Sequence, residues 1–280
     1  MKATLLKIFR WYFRKFPVRK GKIPVLTLIS KWGLTDNKKL IGTYDSDIKI
    51  NLDLDDWIQK LIYFFGCYEV EKTETAFWKK FVKDDFIILD IGANVGYYSL
   101  MAAKRAINGT IYAFEPVSTT YDKLKRNIAL NNFLNIKPQN LAVSTHSGFI
   151  DIYVADNKNT GTSSITKHIH FNGSKERVKT TSIDEFVLEQ HITRTDLIKI
   201  DVEGAEMLVL EGMRNTLLNF NPMVMVELID ERLVSAGSSL KEAYDFFDAL
   251  GYKSYKLNRR LELVPSDKYL EGSLVIFKKS

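Results

Sequence analysis

Residues Phe86–Leu100, FIILDIGANVGYYSL, constrain the fold more than any other stretch of this 280-residue chain. Four apolar residues, Phe86 to Leu89, and then Ile91 bracket one carboxylate, Asp90. So short an apolar run, closed by a glycine, predicts a strand buried on both faces. Gly92 and Gly96 permit a sharp turn and a close approach of backbone to a ligand. From Tyr97 to Ala106 the spacing turns helical, with Leu100, Met101 and Ala103 placed to pack on a sheet. Strand, glycine turn and helix form a nucleotide-type unit whose helix N-terminus exposes backbone N–H groups.

The spacing of the glycines limits which nucleotide. A dinucleotide fingerprint started at Gly92 would require glycines at positions 94 and 97, which hold Asn94 and Tyr97. No Gly-Lys-Ser/Thr phosphate loop is present. A sulfonium cofactor carries no phosphate, so it needs fewer glycines and tolerates a nearby carboxylate such as Asp90. One strand later, in TIYAFEP (Thr110–Pro116), Glu115 follows Gly92 by 23 residues. A carboxylate ending the second strand can accept both hydroxyls of a ribose. It signals adenosine without choosing between NAD and S-adenosylmethionine.

The rest of the chain reads as one α/β unit with an extension in front. Its length suffices for a single large core, and a composition of 45% hydrophobic and 26% charged residues is that of an ordinary soluble protein. The lone cysteine, Cys67, excludes an intramolecular disulfide and suits a reducing, cytoplasmic setting. Four scattered histidines with one cysteine give no zinc cluster, and no apolar run approaches the ~20 residues of a membrane span. The net charge of +6 belongs to one end. Residues 1–22 carry eight Lys/Arg and no acid, leaving 32 basic against 34 acidic residues, a net of −2.

Within that basic segment Leu5, Phe9, Tyr12 and Phe16 fall at helical spacing, with Leu6 and Phe13 beside them. Three readings fit: an interfacial helix on an anionic membrane at the inner face of a cell, a helix docked on its own domain, or one docked on a partner subunit. The basic run carries no nucleic-acid motif, so no nucleic-acid partner is expected. Residues 23–82 form an N-terminal extension, a cap or side wall. Ile48, Ile50 and Leu52 alternate as a strand, and Trp57–Phe65 and Thr75–Val82 read as helices. Its aromatics, Trp57, Tyr63, Phe64, Phe65 and Tyr68, are read as core.

Residues 83–280 hold the β–α alternation. A helix spans Pro116–Asn132, a strand ends near Asn140–Ala142, and Phe149–Val154 is a weak strand. Asp156–Ser174, containing GTSSI, His168 and His170, is a polar loop placed to act as a lid. In LIKIDVEGAEMLVLEG (Leu197–Gly212), Ile198, Ile200 and Val202 mark a buried strand, and Asp201, Glu203 and Glu206 gather where it meets a helix. Acids at a strand's carboxyl end face the ligand crevice, whereas acids in a first helical turn complement the dipole. Asp201 is the site candidate, Glu203 is open between the two roles, and Glu206 is read as a cap. Met223–Leu228 is a further strand with Glu227 near its end. Leu240–Leu250 is an amphipathic helix, and Tyr252–Leu257 with Ser273–Phe277 supply the last strands.

The blocks DIGANVG (90–96), FEP (114–116), LAVS (141–144), SIDEF (182–186) and KIDVEGAE (199–206) together resemble the FkbM family of S-adenosylmethionine-dependent methyltransferases. The resemblance implies a class I methyltransferase fold: a Rossmann-like, doubly wound, seven-stranded sheet with its last strand antiparallel. It implies that Asp90, Gly92, Asn94 and Gly96, with Ala93 among them, contact the methionine part of the cofactor. Glu115, with Pro116 beside it, would bind the ribose, and Asn140 to Ala142 would border the adenine. Asp201 would stand where cofactor and acceptor meet. O-methylation of a hydroxyl on a sugar, glycan, glycolipid or natural product is the implied activity. Asp201, Glu203, Glu227 and the loop histidines His168 and His170 are the candidate bases; two or three of the carboxylates would alternatively hold one Mg²⁺, which is not favoured. The competing readings are an NAD-dependent oxidoreductase or epimerase, and a non-catalytic S-adenosylmethionine-binding protein at a membrane.

Overall fold

The computed structural model describes residues 2–16, 20–155, 163–165, 174–266 and 269–279. At its centre lies the apolar run noted above, now β3 (Ile87–Ile91). β4 (Thr110–Phe114), β5 (Ile136–Gln139), β9 (Leu197–Ile200), β10 (Met223–Leu228), β11 (Tyr252–Leu257), β12 (Leu263–Pro265) and β13 (Gly272–Lys279) complete an eight-stranded sheet in the order β12-β11-β13-β10-β9-β3-β4-β5. Strands β10, β9, β3, β4 and β5 run parallel, and β13 inserts antiparallel between β10 and β11. The expected seven strands are therefore present, the last of them antiparallel, and short β12 adds an eighth at the edge.

Alternate residues of the central strands feed two different cores, which is why the strands read as unbroken apolar runs. Ile88, Ile111, Leu197 and Met225 face one layer; Leu89, Ile91, Phe114, Ile198, Ile200 and Val226 face the other. The second layer is closed by α7 (Ile183–Glu189), α8 (Glu206–Glu211), α9 (Arg214–Phe220), α10 (Asp230–Ser235) and α11 (Leu240–Ala249). Ser182 caps α7 in a reciprocal box with Glu185, the physical content of the SIDEF block. A smaller sheet of β6 (Ala142–Val143), β8 (Ser174–Thr181) and β7 (Gly148–Val154) stands beside β5 in sequence. Strand β8 occupies chain whose mixed polar sequence, SKERVKTT, hides its alternation from a sequence reading. His168 and His170 lie outside the described residues.

The first layer is closed by α4 (Lys72–Phe81), α5 (Tyr97–Ala103), α6 (Ser118–Asn131) and the extension. That extension comprises α1 (Lys2–Lys15), α2 (Lys22–Lys31), the hairpin β1 (Lys39–Tyr44) and β2 (Ile48–Asp53), and α3 (Trp57–Phe65). Its packing is continuous with the sheet's. Asn127 of α6 accepts from the Asn51 backbone N–H at 2.8 Å and donates to the Val95 carbonyl at 2.8 Å, so one side chain joins the hairpin to the glycine turn. The Tyr44 ring stacks on Tyr97 with centroids 4.9 Å apart, and its hydroxyl donates to the Tyr97 carbonyl.

Helix α1 is docked on its own chain. Leu6 and Phe13 are buried, and the Phe13 ring lies 5.2 Å from Phe64 and 5.0 Å from Phe65. Helix α3 ends at Gly66, whose N–H bonds Ile62 O at 2.9 Å; the Arg14 guanidinium adds to this end, donating to Tyr63 O at 2.8 Å and Ile62 O at 3.3 Å, and to Thr43 O at 2.7 Å. Buried Lys22 does the same for α1, donating to Phe13 O and Phe16 O, each at 2.7 Å. Part of the basicity of this segment is thus structural. Replacement of Phe13 by alanine is expected to cost about 3–5 kcal/mol, whereas Trp11→Ala, on the opposite face, should stay within about 0.5 kcal/mol. Urea unfolding of the two variants measures the difference.

Candidate active site

A cavity of about 230 Å³ opens at the carboxyl ends of β3, β4, β9 and β10, where ligands collect in open α/β sheets. Gly92, Asn94, Glu115, Pro116, Ala142, Asp201, Glu203 and Glu227, all expected at the site, line it. The other expected residues, Asp90, Ala93, Gly96 and Asn140, stand behind that lining. Asp90 is buried and accepts from the Ser99 hydroxyl at 2.5 Å, while Ala93 N–H closes the turn onto Phe114 O. Gly96 adopts φ 93° to start α5. Asn140 donates to Glu115 O at 3.0 Å and Pro116 O at 2.8 Å, and so fixes the loop that carries Glu115.

Gly92, at φ 82°, owes its identity to a contact within the protein. A Cβ there would lie 1.9 Å from the Asp201 carbonyl oxygen, because the Asp201 N–H bonds Ile91 O and draws the two strand ends together. The sequence reading attributed this glycine to backbone approaching a ligand; the structure assigns it to the seam between β3 and β9. Any side chain there displaces Asp201.

At one part of the cavity Glu115 accepts from Asn94 N–H at 3.0 Å and Val117 N–H at 2.9 Å. Burial pushes its carboxyl up to about 7, against the pull of those two backbone donors. Asn94, held at φ 50°, leaves its side-chain oxygen buried without a hydrogen-bond partner in the cavity lining. A carboxylate able to take two hydroxyls and an orphan amide oxygen able to take an ammonium fit an amino acid joined to a ribose.

A second group of charges gathers around Asp201. Lys199, two residues earlier and so on the same face of the strand, is buried and donates to Asp201 Oδ2 at 2.9 Å. Burial works to lower this ammonium, but Asp201, Asp90 and Glu71 hold it above its ordinary value. Glu71 arrives from the extension and accepts from the Tyr98 hydroxyl at 2.7 Å. Beyond Asp201, Arg232 contacts Glu203 at 2.6 Å and Glu227 at 2.5 Å. Glu203 sits at φ 56°, a left-handed conformation that turns its side chain into the cluster; the Ser164 hydroxyl donates to its carbonyl. Asp201, Glu203 and Glu227 each place an oxygen within 4.8 Å of the others, a spacing suited to a cation. Two of the three, Glu203 and Glu227, are bridged by the Arg232 guanidinium, and Asp201 pairs with Lys199. Glu206, read as a cap, accepts from Gly204 N–H at the start of α8.

Sequence reasoning missed Lys199, Glu71, Tyr68 and Arg232. Lys199 had a signal, the i, i+2 spacing to Asp201 on a buried strand; Glu71 and Tyr68 had none, because only the docking of the extension brings them in. Trp57, Ile58 and Tyr68 line the cavity, whereas Tyr63 and Phe64 are core as expected. Ser163, Ser164 and Ile165 of the polar loop line it too.

The sheet order and a cleft at its carboxyl edge define a class I methyltransferase fold. The family model for the methyltransferase FkbM domain matches residues 90–254, more than half of the chain, and the chain belongs to that family. Methyltransferase 1 of Beauveria bassiana is 27% identical over 224 residues, covering 74% of this chain and 84% of that protein. Hexuronic acid methyltransferase AglP of Haloferax volcanii is 32% identical over 146 residues, covering 52% of this chain and 57% of that one. A crystal structure of methyltransferase FkbM from Methylobacillus flagellatus aligns with a TM-score of 0.47 at 14% identity, over 70% of this chain and 44% of its own.

Burial pushes Glu71 up to about 7, Glu227 to about 8 and Glu203 to about 9, with Asp201 adding to each. Each binds its proton more tightly folded than unfolded. Their contribution to stability is therefore complete below the ordinary value of 4.5 and is lost as pH rises through about 7, 8 and 9. The urea midpoint of the ligand-free protein should accordingly fall from pH 6 to pH 9, and Glu203→Gln should flatten the upper part of that decline.

Proposed function

We propose that the protein transfers a methyl group from S-adenosylmethionine to a hydroxyl oxygen of a sugar, glycan, glycolipid or related natural-product acceptor. The observation that carries this reading is the pairing, on one cleft, of Glu115 and the orphan Asn94 oxygen with the separate acid cluster at Asp201. Membership of the FkbM family supports the methyl transfer. The name of the Haloferax relative, a hexuronic acid methyltransferase, supports a sugar acceptor. In this reading residues 83–280 are the catalytic unit, residues 23–82 wall the acceptor side through Trp57, Tyr68 and Glu71, and residues 1–22 precede them.

When bound, the cofactor supplies an electrophilic methyl group on sulfur. The chain's part is to place a hydroxyl in line with it; orientation of this kind is worth up to about 7–11 kcal/mol. Glu115, with Pro116 beside it, would hold the ribose, Asn94 the amino group, and Ala142 would border the adenine. A carboxylate of the chain would take the proton that the acceptor hydroxyl gives up as the methyl group leaves sulfur for oxygen and the sulfonium becomes a neutral thioether, a contribution of about 10²–10⁴-fold. Asp201 is the proposed base. Lys199 fixes its orientation, and Arg232 keeps Glu203 and Glu227 from crowding it with unbalanced charge.

Thermal melting with S-adenosylhomocysteine beside NAD tests the cofactor. S-adenosylhomocysteine at 100 times its Kd should stabilise by about 2.7 kcal/mol while NAD does not. Because ribose hydroxyls need the ionised acceptor, the effect should grow as pH rises through about 7 and be lost in Glu115→Gln. Stabilisation by NAD alone would overturn the reading.

Asp201→Asn keeps the shape and removes the basicity. Turnover with an accepted sugar should fall by about 10²-fold or more, with the affinity for S-adenosylhomocysteine retained. Calorimetry and single-turnover assays separate this from a role in cofactor anchoring, in which the affinity would fall instead.

A further inference from the structure

The docking of α1 and α2 leaves a surface that the cleft chemistry does not use. On α1 the residues that meet the core are Leu6 and Phe13, with Leu5, Phe9 and Tyr12 packed beside them. Of the three readings that the stripe allowed, docking on its own domain therefore accounts for most of it. What remains outward is different: Ile8, Trp11 and Phe16 on and after α1, and Ile23, Leu28 and Trp32 on and after α2. Trp11 is 63% exposed and Trp32 62%, and they are the exposed pair among the chain's four tryptophans, Trp57 being half-buried and Trp78 fully buried.

Single exposed apolar side chains are ordinary on a protein surface. Six within 25 residues, on two helices joined through the buried Lys22, are not scattered. Their charge setting is as one-sided. Residues 1–35 contain nine Lys/Arg and no Asp or Glu. Arg14 and Lys22 are consumed by backbone carbonyls, and Arg10 donates to Thr43 Oγ1 at 2.9 Å. Lys7, Lys15, Lys20 and Lys31 are left exposed. Tryptophan rings with long aliphatic neighbours settle at the boundary of headgroups and acyl chains, and lysines beside them meet anionic headgroups. Among the described residues no helix is long and apolar enough to cross a membrane, so contact through this surface would be peripheral.

We propose that the outward faces of α1 and α2 dock the protein on an anionic lipid bilayer, with Trp11 and Trp32 inserted and the four exposed lysines on the headgroups. The occupant is set by charge complementarity: a lysine-edged apolar face on two helices that carry no acid of their own matches an anionic interface.

Sedimentation of the full chain with vesicles of phosphatidylcholine, with and without phosphatidylglycerol, tests this. Binding is expected only with the anionic lipid, to weaken as salt is raised, and to be accompanied by a blue shift of tryptophan emission. The double variant Trp11→Ala/Trp32→Ala should lower the partition coefficient at least tenfold while melting as wild type, since neither ring is buried. A second double variant, Lys15→Glu/Lys31→Glu, should lower binding and flatten its salt dependence. Equal binding to neutral vesicles, or binding unchanged in the tryptophan variant, would overturn the proposal. So would a concentration-dependent dimer that the tryptophan variant abolishes without any vesicle binding, which would make this face a contact between copies.

Discussion

Two strand ends meet at the centre of this protein with no room between them for a methyl group. Gly92, at the end of β3, lies against the carbonyl of Asp201, at the end of β9. The contact sets the floor of the cleft, because the turn on one side carries Asn94 and the segment on the other carries Asp201 and Glu203. Two of those residues, Asn94 and Glu203, sit in left-handed conformations, which asparagine adopts more readily than glutamate. A site whose groups are positioned by backbone rather than by free rotamers needs little reorganisation when ligands arrive.

Around that seam the protein buries more charge than a stable interior would choose. Asp90, Glu71, Lys199, Glu203 and Glu206 are all buried, with Asp201 and Glu227 half-buried. Lys199 pairs with Asp201 and Arg232 with Glu203 and Glu227, while Asp90, Glu71 and Glu206 are held by Ser99, Tyr98 and the Gly204 N–H. Burial first, and the charge of Asp201 after it, leave Glu71, Glu203 and Glu227 holding their protons towards neutral pH. Glu115, apart from this cluster, is raised by burial, with Glu176 and Asp90 adding to it, and is opposed by two backbone donors.

The extension links these parts. Asn127 couples the hairpin to the glycine turn, Arg14 closes the end of α3, and the segment after α3 delivers Tyr68 and Glu71 to the cleft. The helices that accomplish this spend one face on the core and keep a basic, tryptophan-bearing face outward. One segment thereby serves packing, part of the cavity lining and the outer surface.

The sequence by itself determined the sheet, the turn and the second-strand acid. Apolar runs of β3, β4, β9 and β10, with glycines and a carboxylate at fixed offsets, admit one local geometry, and Glu115, Asn94, Gly92, Asp201, Glu203 and Glu227 were legible because strand ends converge on one edge. Tertiary structure alone decided what crosses from distant chain. Glu71 reaches the cleft only because α3 and the hairpin dock, Arg232 joins two glutamates that sequence separates by 24 residues, and the face of α1 that is buried depends on the Phe64 and Phe65 rings it meets. Local patterns report periodicity and backbone freedom. They carry no record of which faces pair, since that choice rests on burial and charge balance summed over the whole fold.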